Sequence, residues 1–259
     1  MPKATLIDSH CHLDFEAFDS DRQQVLRRAT ENNISDIIIP GTQINYWQRV
    51  RSLCAADESL HACYGLHPYW LEQHTEKDLI KLSDYIEKYK PVALGECGLD
   101  YRPQFSDRKN QLKFFDAQLH LAQEQNLPAV IHSVHATDDV IKTLKKHKNL
   151  TGMIHSFSGS PEQARQLTDL NFYISIGGSV TYQHAKKIRK TASDIPLASL
   201  LVETDAPDQA DEQHHKERNE PAYLVNTVEA IAQLREESFA QIAQQTTINA
   251  KKLFKLKTI

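Results

Sequence analysis

Short runs of consecutive apolar residues recur along the chain, separated by amphipathic stretches. The runs fall at residues 5–8, 36–40, 62–66, 92–95, 129–132, 152–155, 172–176 and 200–203. Several of them, such as Ile37-Ile38-Ile39 and Leu200-Leu201-Val202, are apolar at every position rather than at alternate ones. That pattern predicts parallel strands covered on both faces. The intervals read as helices. Val25, Leu26 and Ala29 share one side of the first, with Asp21, Arg22, Arg27 and Glu31 as mostly polar surface. Phe114, Phe115, Leu119 and Ala122 give helical spacing after the fourth strand, and Leu224, Val228 and Ile231 do so near the C-terminus. Residues 239–254 read as a last helical element packed over the sheet.

Alternation of this kind predicts parallel pairing through helical crossovers. Eight repeats point to a (β/α)8 TIM-type barrel, with an open doubly wound sheet as the alternative. No Gly/Ser linker, low-complexity tract or internal repeat argues for a second domain, so residues 1–259 read as one barrel domain. A chain of 259 residues with 40% hydrophobic content can bury the core this requires.

Composition narrows the function classes without naming one. The formal charge of −4 carries no signature of tight non-specific nucleic-acid binding, yet leaves room for a phosphate substrate held by metal ions. Cys11, Cys54, Cys63 and Cys97 form no CxxC pair, and reduced thiols in a cytoplasmic protein are the plain expectation. Met1-Pro2-Lys3-Ala4 leads straight into the first strand with no signal-peptide pattern, and no segment is long and apolar enough to span a membrane. Nothing points to an obligate protein partner, and a monomer is the default.

The candidate chemistry gathers at the strand ends. His10-x-His12 follows the first strand, and residues two apart on an extended backbone share a face. Cys11 between them should point the other way and serve packing. Glu96 follows the fourth strand, His132 ends the fifth, His155 ends the sixth, and Asp205 follows the eighth. Barrel enzymes build their active sites on that rim. Each residue has a plainer use: His132 and His155 as hydrogen-bonded core histidines, Glu96 as an ion-pair partner, Asp205 as a turn cap. Independent structural uses would not put all six on one rim. Four histidines and two carboxylates there suffice for two divalent ions, and the lack of thiolate ligands argues against a structural zinc site.

All of these residues but His132 sit in stretches that resemble the TatD family of metal-dependent hydrolases, within the amidohydrolase-like barrel superfamily. The matching stretches include Asp8-Ser9-His10-Cys11-His12-Leu13, Gly65-Leu66-His67-Pro68 and Gly95-Glu96-Cys97-Gly98-Leu99-Asp100. Later come His155-Ser156-Phe157-Ser158-Gly159, Glu203-Thr204-Asp205-Ala206-Pro207 and Arg218-Asn219-Glu220-Pro221. The resemblance implies a one- or two-metal site. His10, His12, Glu96 and Asp205 would hold the first ion, and Glu96, His132 and His155 the second, with Mg, Mn or Zn as the metal. It also implies that Glu96 bridges the ions, that Asp205 orients or deprotonates the attacking water, and that the substrate is DNA cut exonucleolytically. Some similar proteins remove D-amino acids from tRNA. One departure stands out: where the family often continues Ser-Arg-Asp after the fifth-strand histidine, this chain has Ser133-Val134-His135.

Around this centre, His67 reads as a contact to substrate or to a ligand, or else as a turn residue before Pro68. Arg218 reads as a phosphate contact, or with Asn219 as a cap for the helix near Pro221. His135 stands as a donor or a solvated loop residue, and His214-His215-Lys216 as a mobile surface loop. Lysines at positions 142, 145, 146 and 148, and at 186, 187 and 190, read as solvated helix faces rather than a nucleic-acid track. The leading expectation is a metal-dependent phosphodiesterase, a deoxyribonuclease. The same ligands would also serve hydrolysis of a carbonyl ester or amide. A non-catalytic barrel scaffold should lack ligands, and none is lacking.

Overall fold

Cover on both faces is what makes strands of the apolar runs. The computed structural model describes residues 4–105 and 107–257; the lead-in at residues 1–3 lies outside them. The strands are β1 (Leu6–Asp8), β2 (Ile34–Gly41), β3 (Leu60–Tyr64), β4 (Ala93–Asp100), β5 (Ala129–Val134), β6 (Gly152–Ile154), β7 (Phe172–Ile176) and β8 (Leu200–Val202). They pair in parallel in chain order. The helices between and after them are α1 (Arg22–Glu31), α2 (Ile44–Ala56), α3 (Glu76–Tyr89), α4 (Arg108–Glu124), α5 (Thr137–Leu144), α6 (Pro161–Asp169), α7 (Lys186–Asp194), α8 (Leu224–Arg235) and α9 (Phe239–Phe254).

The seam between β8 and β1 decides between a barrel and an open sheet. Ser9 N donates to Val202 O at 3.1 Å, Asp205 N to His10 O at 2.9 Å, and His12 N to Ala206 O at 2.8 Å. Buried Asp8 accepts from Thr204 N at 3.0 Å and from Thr204 Oγ1 at 2.5 Å. The segment after β1 is thereby zipped to the segment after β8, and the sheet closes into a (β/α)8 TIM-type barrel.

Neighbouring residues of one strand serve two different cores. Ile7, Ile38, Val130, Met153 and Leu201 fill the barrel interior. Leu6, Ile37, Ile39, Leu200 and Val202 face outward against Val25, Trp47, Phe115, Leu119 and Val228 of the helices. Both sets contribute roughly 2–5 kcal/mol per large aliphatic side chain against truncation to alanine. Helix α9 matches its expected bounds and starts at a capping box, in which Ser238 and Gln241 satisfy each other's backbone N–H groups. Its Ala250, Leu253 and Phe254 join the interior cluster. Asn249 of α9 donates to Leu197 O and Leu200 O, and Thr247 to Thr5 O, so the helix seals the end where the strands begin. No described helix is long and apolar enough to cross a membrane.

Most strands differ in extent from the sequence reading: β3 lies two residues earlier, at Leu60–Tyr64, β5 runs on to Val134, and β1, β6 and β8 are each one residue shorter. β2 begins earlier, at Ile34, and β4 runs on through Glu96 to Asp100 instead of stopping at Gly95. The pairing of β4 with β5 slips between Leu94↔Ala129 and Cys97↔Ile131, which places one extra residue on β4. This bulge resets the in–out alternation. Leu94 and Cys97 both pack in the outer cluster, and Glu96 turns into the barrel.

Candidate metal centre

The first donor group comes from the zipped seam. His10 and His12 lie just past β1, where their backbones bond to the segment carrying Asp205. Cys11 between them is fully buried among outer-core residues with Sγ toward Ala206 O, opposite to the imidazoles, as the spacing predicts. His10 Nε2 is 3.2 Å from Glu96 Oε2 and 3.6 Å from Asp205 Oδ1. His12 Nε2 is 3.6 Å and 3.5 Å from the same two oxygens.

The second group meets the other oxygen of the same carboxylate. His132 Nδ1 lies 3.0 Å, and His155 Nε2 2.8 Å, from Glu96 Oε1, and the two nitrogens are 3.1 Å apart. Glu96 thus stands between two sets of donors and offers one oxygen to each. His67 Nε2 joins Oε1 at 3.0 Å. The structure brings together His10, His12, Glu96, His132, His155, Asp205 and His67, all buried.

These donors fit divalent cations. His10 Nε2 and Glu96 Oε2 are buried without a hydrogen-bond partner, an expensive arrangement unless a cation satisfies both. Ligands at about 2.1 Å from a four-coordinate ion lie about 3.4 Å from one another, and the contacts of His10 and His12 span 3.2–3.6 Å. For His132 and His67, the group behind the ring places the proton. His132 Nε2 faces Asp100 Oδ2 at 3.2 Å, so Nε2 carries the proton and Nδ1 keeps its lone pair for the site. Asp100 is in turn gripped by Arg102 through contacts of 2.6–3.0 Å. His67 is wired the other way. Its Nδ1 accepts from Tyr69 N at 3.0 Å, which leaves Nε2–H as a donor toward Glu96 rather than a ligand.

Charge follows burial. Burial pushes His67 down to about 4 and His12 well below its ordinary value, which keeps both neutral. It raises Asp205 to about 6. Burial acts to raise Glu96 too, but the imidazoles of His155, His67 and His10 outweigh it and hold the carboxyl well below the usual range.

A cavity of about 440 Å³ opens over this centre, lined also by Phe15, Tyr69, Trp70, Arg102, Val134 and Gln209. Arg218 is not brought there. Its guanidinium makes two bonds of 2.7 and 2.8 Å to Asp21, donates to Ala17 O and lies over the Phe18 ring at 4.7 Å. Asn219 is a strut, donating to Thr204 O and Asp208 O. His135 is exposed, and it is Val134 beside it that lines the cavity. His214 is no loose loop residue: it bonds Asp211 and stacks on Tyr223 at 3.5 Å.

A family profile described as TatD related DNase matches residues 7–255. The chain belongs to the TatD family. Among TatD relatives, the Bacillus subtilis (strain 168) protein YabD, named an uncharacterized metal-dependent hydrolase, is 38% identical over 97% of this chain and 99% of its own length. The Escherichia coli (strain K12) protein YjjV, named likewise, is also 38% identical, over 96% and 97%. The crystal structure of YjjV, a TatD homolog, superposes with a TM-score of 0.93 at 36% identity, covering 97% of this chain and 98% of that one. The chain is a metal-dependent hydrolase of the TatD family.

Some residues of the centre had only a faint signal in the sequence. Asp100 and Glu203 lie inside the matching stretches, yet nothing in their spacing shows that one backs His132 and that the other lies 3.6 Å from His155 Nδ1. Tyr69, Trp70 and Arg102 follow His67 and Asp100 closely in the chain, and that adjacency was the one available hint.

Proposed function

We propose that this chain hydrolyses phosphodiester bonds of DNA, working inward from a strand end, with two divalent cations (Mg, Mn or Zn) at the barrel mouth. The observation that carries this reading is Glu96, whose two oxygens each meet a separate set of nitrogen donors. His10, His12, Glu96 and Asp205 would hold one ion, and Glu96, His132 and His155 the other. Ions bound there polarise a phosphoryl oxygen and acidify water. Asp205 takes the proton of the attacking water, with its Oδ2 steadied by Gln209. As the P–O bond breaks, Asp205 passes that proton on to the departing oxygen. His67, whose Nε2–H is held by Glu96 Oε1, steadies that carboxylate, and its ring lines the cavity where substrate would contact it. The rim suits the rest of a nucleotide: Tyr69, 47% exposed, and Phe15 and Trp70 offer rings for bases, and Arg102 offers a cation for phosphate. The likeness to a family described as DNases points the same way.

The test is hydrolysis of end-labelled single-stranded DNA by chelator-stripped protein refilled with Mg, Mn or Zn, beside Asp205→Asn. Metal-dependent release of nucleotides is expected, with a loss of at least about 100-fold in the variant at unchanged fold. Metal-loaded wild-type protein that leaves DNA intact while cleaving carboxylic esters or aminoacyl-tRNA would overturn the reading in favour of attack at carbon.

A further inference from the structure

A second set of donors lies away from the barrel mouth, in the outer helix layer. Asp116 and His120 are one turn apart on α4, so their side chains share a strip of its surface. His147 follows α5, and its side chain is 1% exposed. His147 Nε2 lies 2.9 Å from Asp116 Oδ1, and His120 Nε2 lies 3.8 Å from Asp116 Oδ2. The two imidazole rings are 4.5 Å apart at 67°. One donor atom from each of the three residues lies within 4.8 Å of the others.

Proton placement gives this cluster its meaning. Gln123 Nε2 donates to Lys148 O at 2.8 Å, which turns its amide oxygen toward His147 Nδ1, also at 2.8 Å. Nδ1 must therefore carry a proton. A neutral His147 then aims the lone pair of Nε2 at a carboxylate oxygen 2.9 Å away. Two lone pairs at that distance repel unless a positive charge joins them. Among the described residues, Asp116 has ion-pair contacts with the two histidines and with no lysine or arginine. An Nδ1–H held by an amide oxygen is also how a ligating histidine is aimed at its ion.

We propose that Asp116, His120 and His147 bind a transition-metal cation, zinc by class, at a site separate from the barrel mouth. Two imidazoles and one carboxylate suit zinc and its neighbours better than magnesium or calcium. Three protein ligands leave a fourth position for water, which the 66% exposure of His120 makes reachable. Ligands of a tetrahedral zinc lie about 3.3 Å apart, close to the 2.9 Å from His147 Nε2 to Asp116 Oδ1 and the 3.8 Å from His120 Nε2 to Asp116 Oδ2, and one donor atom from each residue lies within 4.8 Å of the others. The ion would staple α4 to the connection between α5 and β6. It has no part in the proposed hydrolysis and does not depend on it.

The experiment counts zinc on the full chain. Stripped wild-type, His120→Ala and Asp116→Asn proteins are equilibrated at micromolar free zinc, and bound metal is measured by elemental analysis. Both variants change partly exposed side chains of a surface helix and keep every ligand at the mouth, so their residual zinc reports the mouth alone. The wild type is expected to hold one zinc per chain more than either variant, and zinc should raise its Tm further than theirs. Equal zinc counts and equal shifts in all three proteins would overturn the proposal and leave an imidazolium–carboxylate pair.

Discussion

Two imidazoles at the mouth, those of His132 and His67, are aimed by the group behind them. Asp100 sets His132 as a lone-pair donor, and the backbone N–H of Tyr69 sets His67 as a proton donor. The histidines were legible in the sequence because of their places at strand ends. Their tautomers were not, because the groups that fix them are a backbone amide or a side chain 32 positions away. Arg218 makes the same point from the other side. It lies in a matching stretch, yet what it grips is Asp21, 197 positions earlier. Arg218→Ala is therefore expected to cost about 1–2 kcal/mol in stability while leaving bound metal and KM unchanged. The hydrogen bond from Arg218 holds Asp21 below the ordinary carboxylate range. A folded value below the unfolded one of about 3.9 stabilises fully above that pH and is lost as pH falls through the folded value. Urea unfolding of both proteins from pH 7 into acid should show the gap closing on the acid side.

Among the elements, β4 repays the closest attention. Its Gly-Glu-Cys-Gly stretch breaks the apolar run, so a sequence reading ends the strand at Gly95. The backbone continues because Gly95 and Gly98, both at φ near +145°, let β4 press against β5. A Cβ on Gly98 would come within 2.1 Å of the His132 carbonyl oxygen. The bulge this permits turns Glu96 into the barrel and puts Asp100 behind His132. Gly98→Ala should accordingly destabilise the fold by at least about 3 kcal/mol and lower metal content at the mouth, checked by denaturant melts and elemental analysis. The eight strands themselves were legible because both faces of each are covered. The bulge was not, since it is a relation between two strands and leaves no period in either.

For the molecule as a whole, closure matters more than strand count. Eight apolar runs are compatible with an open sheet, and the seam that excludes it consists of backbone hydrogen bonds from residues 9–12 to residues 202–206. That seam also carries His10, His12 and Asp205, so closing the barrel and assembling the first donor group are one event. At the opposite end, α9 places Leu253 and Phe254 among the interior side chains. If the substrate is the DNA strand proposed above, it has one doorway, and it cannot pass through the barrel as a thread passes through a bead. Whatever reaches the donors must arrive and leave through the mouth, and on the proposed reading it is the end of a strand that does so. On the proposed exonucleolytic reading, circular single-stranded DNA should resist the protein under conditions that degrade its linearised form.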